Sequence, residues 1–286
     1  MNDPLPTLVS TDWLAARLGT SGIRVVDASW YLPGSGRDAA AEYRAGHIPG
    51  AVFFDIDAIS DQRSPLPHML PSAADFATDM AGLGLNDWDT LVIYDGSGVN
   101  LSAGRAWWTF RTFGHDPVAV LDGGMGKWRA EQRPIEHGMV TLSQGNFTAR
   151  LDPRAVRDLD AVRANIVNGS EQLVDVRSPG RFEGIEPEPR PGLRPGHVPG
   201  SINLPFTELV TRDGTLLTPE VLRRRLAQAG VDLNRPVVAT CGSGTSACAL
   251  VLSLHSIGHT QTAVYDGAWS EWGARADTPV ETHTPE

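Results

Sequence analysis

Apolar residues in this chain gather in short blocks bounded by Gly, Pro and Asp, never in long stretches. Runs such as "TLVIYD" at 90–95 and "VAVLDG" at 118–123 are continuously apolar over four or five positions. That pattern predicts strands buried on both faces, as in a parallel sheet. Between such runs the period lengthens to that of a helix. "SAADFATDMAGLG" at 72–84 ends on a Gly, and "TPEVLRRRLAQAG" at 218–230 places Thr218 as N-cap, Pro219 at the first helical position and Gly230 past the end. Strands alternating with helices predict an α/β fold, with each parallel sheet flanked by helices. No apolar run reaches the ~18 residues that a membrane span requires.

The blocks also repeat. "RVVDASW" at 24–30 answers "QLVDVRS" at 172–178, and "GHIPGAVFF" at 46–54 answers "GHVPGSINL" at 196–204. Further on, "LVIYDGSG" at 91–98 answers "VVATCGSG" at 237–244, and "AVLDGGMGKW" at 119–128 answers "AVYDGAWSEW" at 263–272. A nearly constant offset of 144 to 150 residues means one domain duplicated. The expected division is a first domain over 1–140, a linker over 141–152 and a second domain over 153–286, with the seam in the polar stretch between Pro134 and Pro153.

Composition narrows the function. At 286 residues and 41% hydrophobic content, the chain is long enough for two well-packed domains. A formal charge of -10 argues against nucleic acid or an anionic membrane as partner. The start, "MNDPLPTLVSTDWLAARLG", has neither a basic nor an apolar leader region, so no signal peptide is expected. Two cysteines make no disulfide framework and suit the reducing cytoplasm.

Duplication separates shared framework from chemistry. His47 and His197 occupy the same "GH-x-PG" turn in both halves, so both read as framework. Cys241 differs, because its counterpart is Asp95. The loop from Gly242 to Ser246 should lie at the carboxyl end of a strand, where α/β sheets place their ligands. Its glycines let successive N–H groups converge, and the helix starting near Ala247 adds its positive end. Cys241 therefore reads as a nucleophile held as thiolate, and Cys248, within the following helix, as packing. A cysteine phosphatase of related fold would carry an arginine at the sixth residue after the cysteine. That residue is Ala247.

On these residues the chain resembles the tandem-domain rhodanese or sulfurtransferase family, most closely its 3-mercaptopyruvate branch. The most specific segments are "DIDAISDQRSPLPHMLP" at 55–71, "AGRAWWTFRTFGH" at 103–115, "GRFEGIEPEPRPG" at 180–192 and "CGSG" at 241–244. The resemblance implies two rhodanese-like domains, the active cysteine only in the second, and a persulfide on Cys241. It implies substrate contacts from Arg181 and Arg190, and from the loop residues Gly242, Gly244, Thr245 and Ser246. It also implies a proton relay of Ser243, His68 and Asp57. The family usually continues Val-Thr where Thr245 and Ser246 stand. No cofactor and no metal is implied. The partners are a small sulfur donor and a thiol acceptor, among which the family counts thioredoxin, small thiols and cyanide.

Residue chemistry bears on these assignments with unequal force. Planar guanidinium forks suit a donor with a carboxylate beside a ketone. The plainer alternative pairs Arg181 and Arg190 with Glu183, Glu186 or Glu188 on the surface. His68 aligns with Leu216 and Asp57 has no acidic counterpart, so one site completed by both halves is expected. A loop histidine between Pro67 and Met69 could equally be structural, and the "DID" stretch could equally turn the chain. The expected activity is sulfur transfer from 3-mercaptopyruvate. Thiosulfate sulfur transfer and a non-catalytic persulfide carrier are the alternatives.

Overall fold

Ten strands among residues 5–282, which the computed structural model describes, form two parallel five-stranded sheets. The first contains β1 (Leu8–Val9), β2 (Ile23–Asp27), β3 (Val52–Phe53), β4 (Thr90–Tyr94) and β5 (Val118–Leu121), in the order β1-β5-β4-β2-β3. The second contains β6 (Val156–Arg157), β7 (Gln172–Asp175), β8 (Ile202–Asn203), β9 (Val237–Thr240) and β10 (Thr262–Tyr265), in the order β6-β10-β9-β7-β8. The two orders are the same order, so the duplication seen along the chain is a duplicated topology. Neighbouring strands β4 and β5 are the apolar runs at 90–95 and 118–123, and the sheets are flanked by helices, as expected for parallel pairing.

Compact units do not follow the halves of the sequence strictly. One unit takes the chain up to Gln62, Leu70–Asp152 and Val210–Leu216; the other takes Arg63–Met69, Pro153–Leu209 and the chain from Leu217. Each half thus contributes a short arm to the other's unit. In the first unit the Val210–Leu216 arm is fastened by Asn100 Nδ2 donating to Gly214 O (3.1 Å) and Leu216 N–H donating to Asp122 Oδ1 (2.8 Å). Residues 141–152 form no helix or strand, yet they are pinned along the first unit. Gly145 N–H donates to Ala81 O and Arg150 N–H to Phe113 O, and Phe147 packs among Phe76, Phe110 and His115. This segment is a packed strap.

The duplicated "GH-x-PG" turns make the same contacts twice. His47 Nδ1 lies 2.9 Å from Tyr43 O with its ring stacked on Tyr43; His197 Nδ1 lies 2.7 Å from Phe182 O with its ring stacked on Phe182. Trp128 and Trp272 repeat each other too, donating from Nε1 to Pro134 O and Pro279 O. Among the described residues no helix is long and apolar enough to cross a membrane.

Gly196 opens the second turn at φ +110°, a conformation that suits only glycine, and a Cβ there would press into Glu281 O. Gly196→Ala should therefore destabilise the second unit by about 2 kcal/mol, because both backbone strain and a clash must be absorbed. Urea unfolding followed by tryptophan fluorescence checks this.

Candidate active site

Cys241 follows directly on β9 and is 1% exposed. Its loop is held by its carbonyls. Trp269 N–H donates to Cys241 O (2.9 Å), and Ser270 donates to Gly242 O through both N–H (2.9 Å) and Oγ (2.7 Å). Gly244, at φ +79°, turns the chain, and its carbonyl accepts the Cys248 thiol at 3.3 Å. Cys248 therefore braces the loop's floor. The helix Ala247–Ser256 starts at once, with Cys248 N–H donating to Thr245 O and Ala249 N–H to Ser246 O. Three of the loop's carbonyls are thus taken up by the framework, and the helix's positive end begins directly after the loop.

His68 belongs to the second unit although it comes from the first half of the chain. It is buried at φ +60°, in the left-handed region that a non-glycine residue occupies only when its surroundings compel it. Its Nδ1 lies 3.1 Å from Ser243 Oγ and also 3.1 Å from Thr245 Oγ1. A ring nitrogen has one proton or one lone pair, so only one of the two hydroxyls can be fully served at a time. Asp57 lies in the first unit, at the start of the short helix Ile56–Ile59, where its Oδ2 accepts from Trp30 Nε1 at 2.9 Å.

Arg181, on the helix Pro179–Glu183, reaches the loop itself: a Cβ on Gly242 would lie 2.9 Å from Arg181 Nη2. It is paired with Glu188, through Nε to Oε1 (3.2 Å) and Nη2 to Oε2 (2.5 Å). That partner is not at the surface, since the Glu188 side chain is only 3% exposed. Glu186 instead accepts from Ser178 Oγ. Arg190 is half-buried further along the same loop. Thr245 is buried, while Gly242 and Ser246 are half-buried. Among the described residues no group of three or more His, Cys, Asp or Glu is arranged to hold a metal ion.

The profile of the rhodanese-like domain matches residues 10–131 and again residues 158–275. The chain belongs to the rhodanese-like domain family. The 3-mercaptopyruvate sulfurtransferase of Rattus norvegicus is 47% identical over 274 residues, spanning 94% of this chain and 92% of its own length. The protein of the same name from Escherichia coli K12 is 46% identical over 274 residues, spanning 96% and 97%. The crystal structure of SseA from Escherichia coli, described as having the rhodanese fold of 3-mercaptopyruvate sulfotransferases, superimposes with a TM-score of 0.85. It is 41% identical and covers 93% of this chain and 100% of its own.

Two rhodanese-like copies in one chain provide an internal comparison of the loop. In the first copy the Asp95 carboxylate fills the loop, accepting Ser97 N–H (2.8 Å), Ser97 Oγ (2.6 Å), Ser102 Oγ (3.1 Å) and Ala103 N–H (2.8 Å). Cys241 stands at the position of Asp95, and there the counterparts of Ala103 and Ser102 turn inward, Ala249 N–H donating to Ser246 O and the Cys248 thiol to Gly244 O.

Behind the second loop lies a group that pattern reading missed. Arg177 is fully buried beneath Trp269, its guanidinium carbon 4.4 Å from the ring centroid. It clasps Asp175 through Nε and Nη2, donates from Nη1 to Glu188 Oε1 (2.7 Å) and from Nη2 to Gly196 O (2.8 Å). Burial alone would lower the proton affinity of this guanidinium. Asp175 and then Glu188 overcome that, and its pKa is raised. The signal was present in "QLVDVRS" against "RVVDASW", where Arg177 replaces Ser29. Removing a buried cation that serves two buried carboxylates is costly, so Arg177→Met should destabilise the second unit by about 3–5 kcal/mol. The same denaturant titration measures it, and a loss near zero would contradict the charge balance described here.

Proposed function

We propose that this protein is a 3-mercaptopyruvate sulfurtransferase that carries the transferred sulfur as a persulfide on Cys241. The observation that carries the proposal is the contrast of the duplicated loops: where one copy closes on the Asp95 carboxylate, the other places a buried cysteine at the end of its central strand. A loop whose carbonyls are tied to its framework, followed at once by a helix N-terminus, suits a terminal persulfide sulfur after reaction. The named relatives, which span more than nine-tenths of this chain, support the choice of donor.

In the proposed reaction Arg181 and Arg190 seat the donor's carboxylate and ketone, and the N–H groups of Gly242, Gly244, Thr245 and Ser246 line the reacting sulfur. The Cys241 thiolate attacks the donor sulfur. A sulfur–sulfur bond forms, the carbon–sulfur bond breaks, and its electron pair leaves with the carbon as the enolate of pyruvate. Ser243, through His68, supplies the proton that converts enolate to pyruvate. A thiol acceptor then takes the outer sulfur; thioredoxin, small thiols and cyanide are the candidates. Two free cysteines are consistent with a reducing, cytoplasmic setting.

Incubating the protein with 3-mercaptopyruvate and no acceptor should add one sulfur to its intact mass, removable by a thiol. Cys241→Ser should show no added sulfur and no turnover, since a serine hydroxyl is not ionised at neutral pH. Cys248→Ser keeps a donor for Gly244 O and should retain most activity. Loss of loading in the second variant, with loading kept in the first, would reverse the assignment of nucleophile.

Thiosulfate, a dianion without a carbon skeleton, needs positive charge beside the attacked sulfur, and Gly242 and Ser243 offer none. Replacing them together, Gly242→Arg with Ser243→Lys, adds two cations and displaces Arg181 from the glycine it lies against. One charge at ~4 Å is worth about 4 kcal/mol at an effective dielectric near 20 before desolvation. Even ~1 kcal/mol shifts relative kcat/KM several-fold, so the ratio of thiosulfate to mercaptopyruvate turnover should rise by at least that much. A flat ratio would show that charge at these positions does not select the donor.

A further inference from the structure

Asp175 clasps the Nε–Nη2 edge of Arg177 with both carboxylate oxygens, a complete pair of opposite charges. A second buried carboxylate nearby is then surplus to that pair and expensive to desolvate. Glu188 is that carboxylate, and its remaining contacts go to Arg181. Both Glu188 oxygens are engaged, Oε1 by Arg177 Nη1 and Arg181 Nε and Oε2 by Arg181 Nη2, so its rotamer is locked from behind. We propose that Glu188, held by the buried Arg177, is the positioning residue that fixes the guanidinium of Arg181 against Gly242 and so sets the carboxylate subsite of the donor. This rests on the reading of Arg181 as a donor-binding residue.

The first copy provides the contrast. There Arg37 pairs with Glu42 through the same Nε and Nη2 edge and donates from Nη1 to Gly96 O (3.1 Å), at the counterpart of Gly242. That pair is 42% and 39% exposed, and the place of Arg177 is taken by Ser29, whose Oγ accepts Gly96 N–H. Only in the copy that carries the cysteine is the glutamate of the arginine–glutamate pair buried and braced by a second arginine. A bidentate clasp on the Nε–Nη2 edge also leaves the Nη1 side of Arg181 to meet a carboxylate, the geometry in which a guanidinium recognises a planar anion.

The test uses the full-length protein with two donors, 3-mercaptopyruvate and its carboxylate-free analogue 1-mercaptopropan-2-one, and one thiol acceptor. Glu188→Gln should raise KM for 3-mercaptopyruvate about tenfold with kcat changed less than about threefold, and leave the analogue's constants within about twofold. Glu188→Asp, which keeps the charge, should recover part of the loss and carries the test if Glu188→Gln fails to fold. In an Arg181→Gln background, Glu188→Gln should add no further effect. Equal losses on both donors, an unchanged KM, or additive losses in the double variant would each overturn the positioning role. If Arg181→Gln itself leaves KM for 3-mercaptopyruvate unchanged, it is the assignment of Arg181 that fails. If the unmodified protein does not turn over 3-mercaptopyruvate, it is the proposed activity that fails.

Discussion

Everything in the second unit's site depends on which way the Cys241 loop faces. A short loop has as many carbonyls as N–H groups, and it can concentrate positive dipole on one side only if something else takes the carbonyls. Trp269, Ser270 and Cys248 do so, at Cys241 O, Gly242 O and Gly244 O. Two of the three lie in the short helix Ala268–Trp272 that follows β10. The cradle is therefore set by the packing of neighbouring connections, and the loop's own glycines only permit it.

The same constraint explains why one copy of the fold holds a carboxylate where the other holds a thiol. In the first copy Met125 N–H takes Asp95 O, as Trp269 N–H takes Cys241 O, and the N–H side closes on the Asp95 side chain. A cradle with its anion built in is a finished structural element. A cradle headed by a thiol is open to chemistry. Around it the second unit adds charges that the first lacks: Arg177 at the place of Ser29, and Glu188 drawn inward to meet both Arg177 and Arg181. The first unit buries carboxyls without such a partner, and burial pushes Asp27 upward in pKa, with its neighbour Asp95 adding to the effect.

His68 shows a different kind of dependence. Its left-handed backbone and buried ring are imposed by its surroundings, and its contacts include two hydroxyls from the loop. Of those, Thr245 stands where the family usually has valine, an isosteric side chain without the hydroxyl. The position that looked like a minor departure in the sequence is one that touches the imidazole.

Much was legible along the chain, because repetition and periodicity are local signals. Parallel strands, capped helices, the duplication and the uniqueness of Cys241 followed from apolar blocks, turn residues and the comparison of two copies. The helix beginning at Ala247 and the glycine turn at Gly244 are where residue preferences alone put them. What the sequence left open were questions about partners. It offered three glutamates for Arg181, and tertiary structure chose Glu188, because only Glu188 is within reach of both Arg177 and Arg181 inside the fold. It read 141–152 as a linker, where packing of Phe147 makes a strap. It also divided the chain at one seam, where Arg63–Met69 and Val210–Leu216 cross to the opposite units. Charge pairing, burial and the exchange of arms depend on residues distant in sequence, and no local pattern encodes which of several equivalent partners the folded chain will bring near.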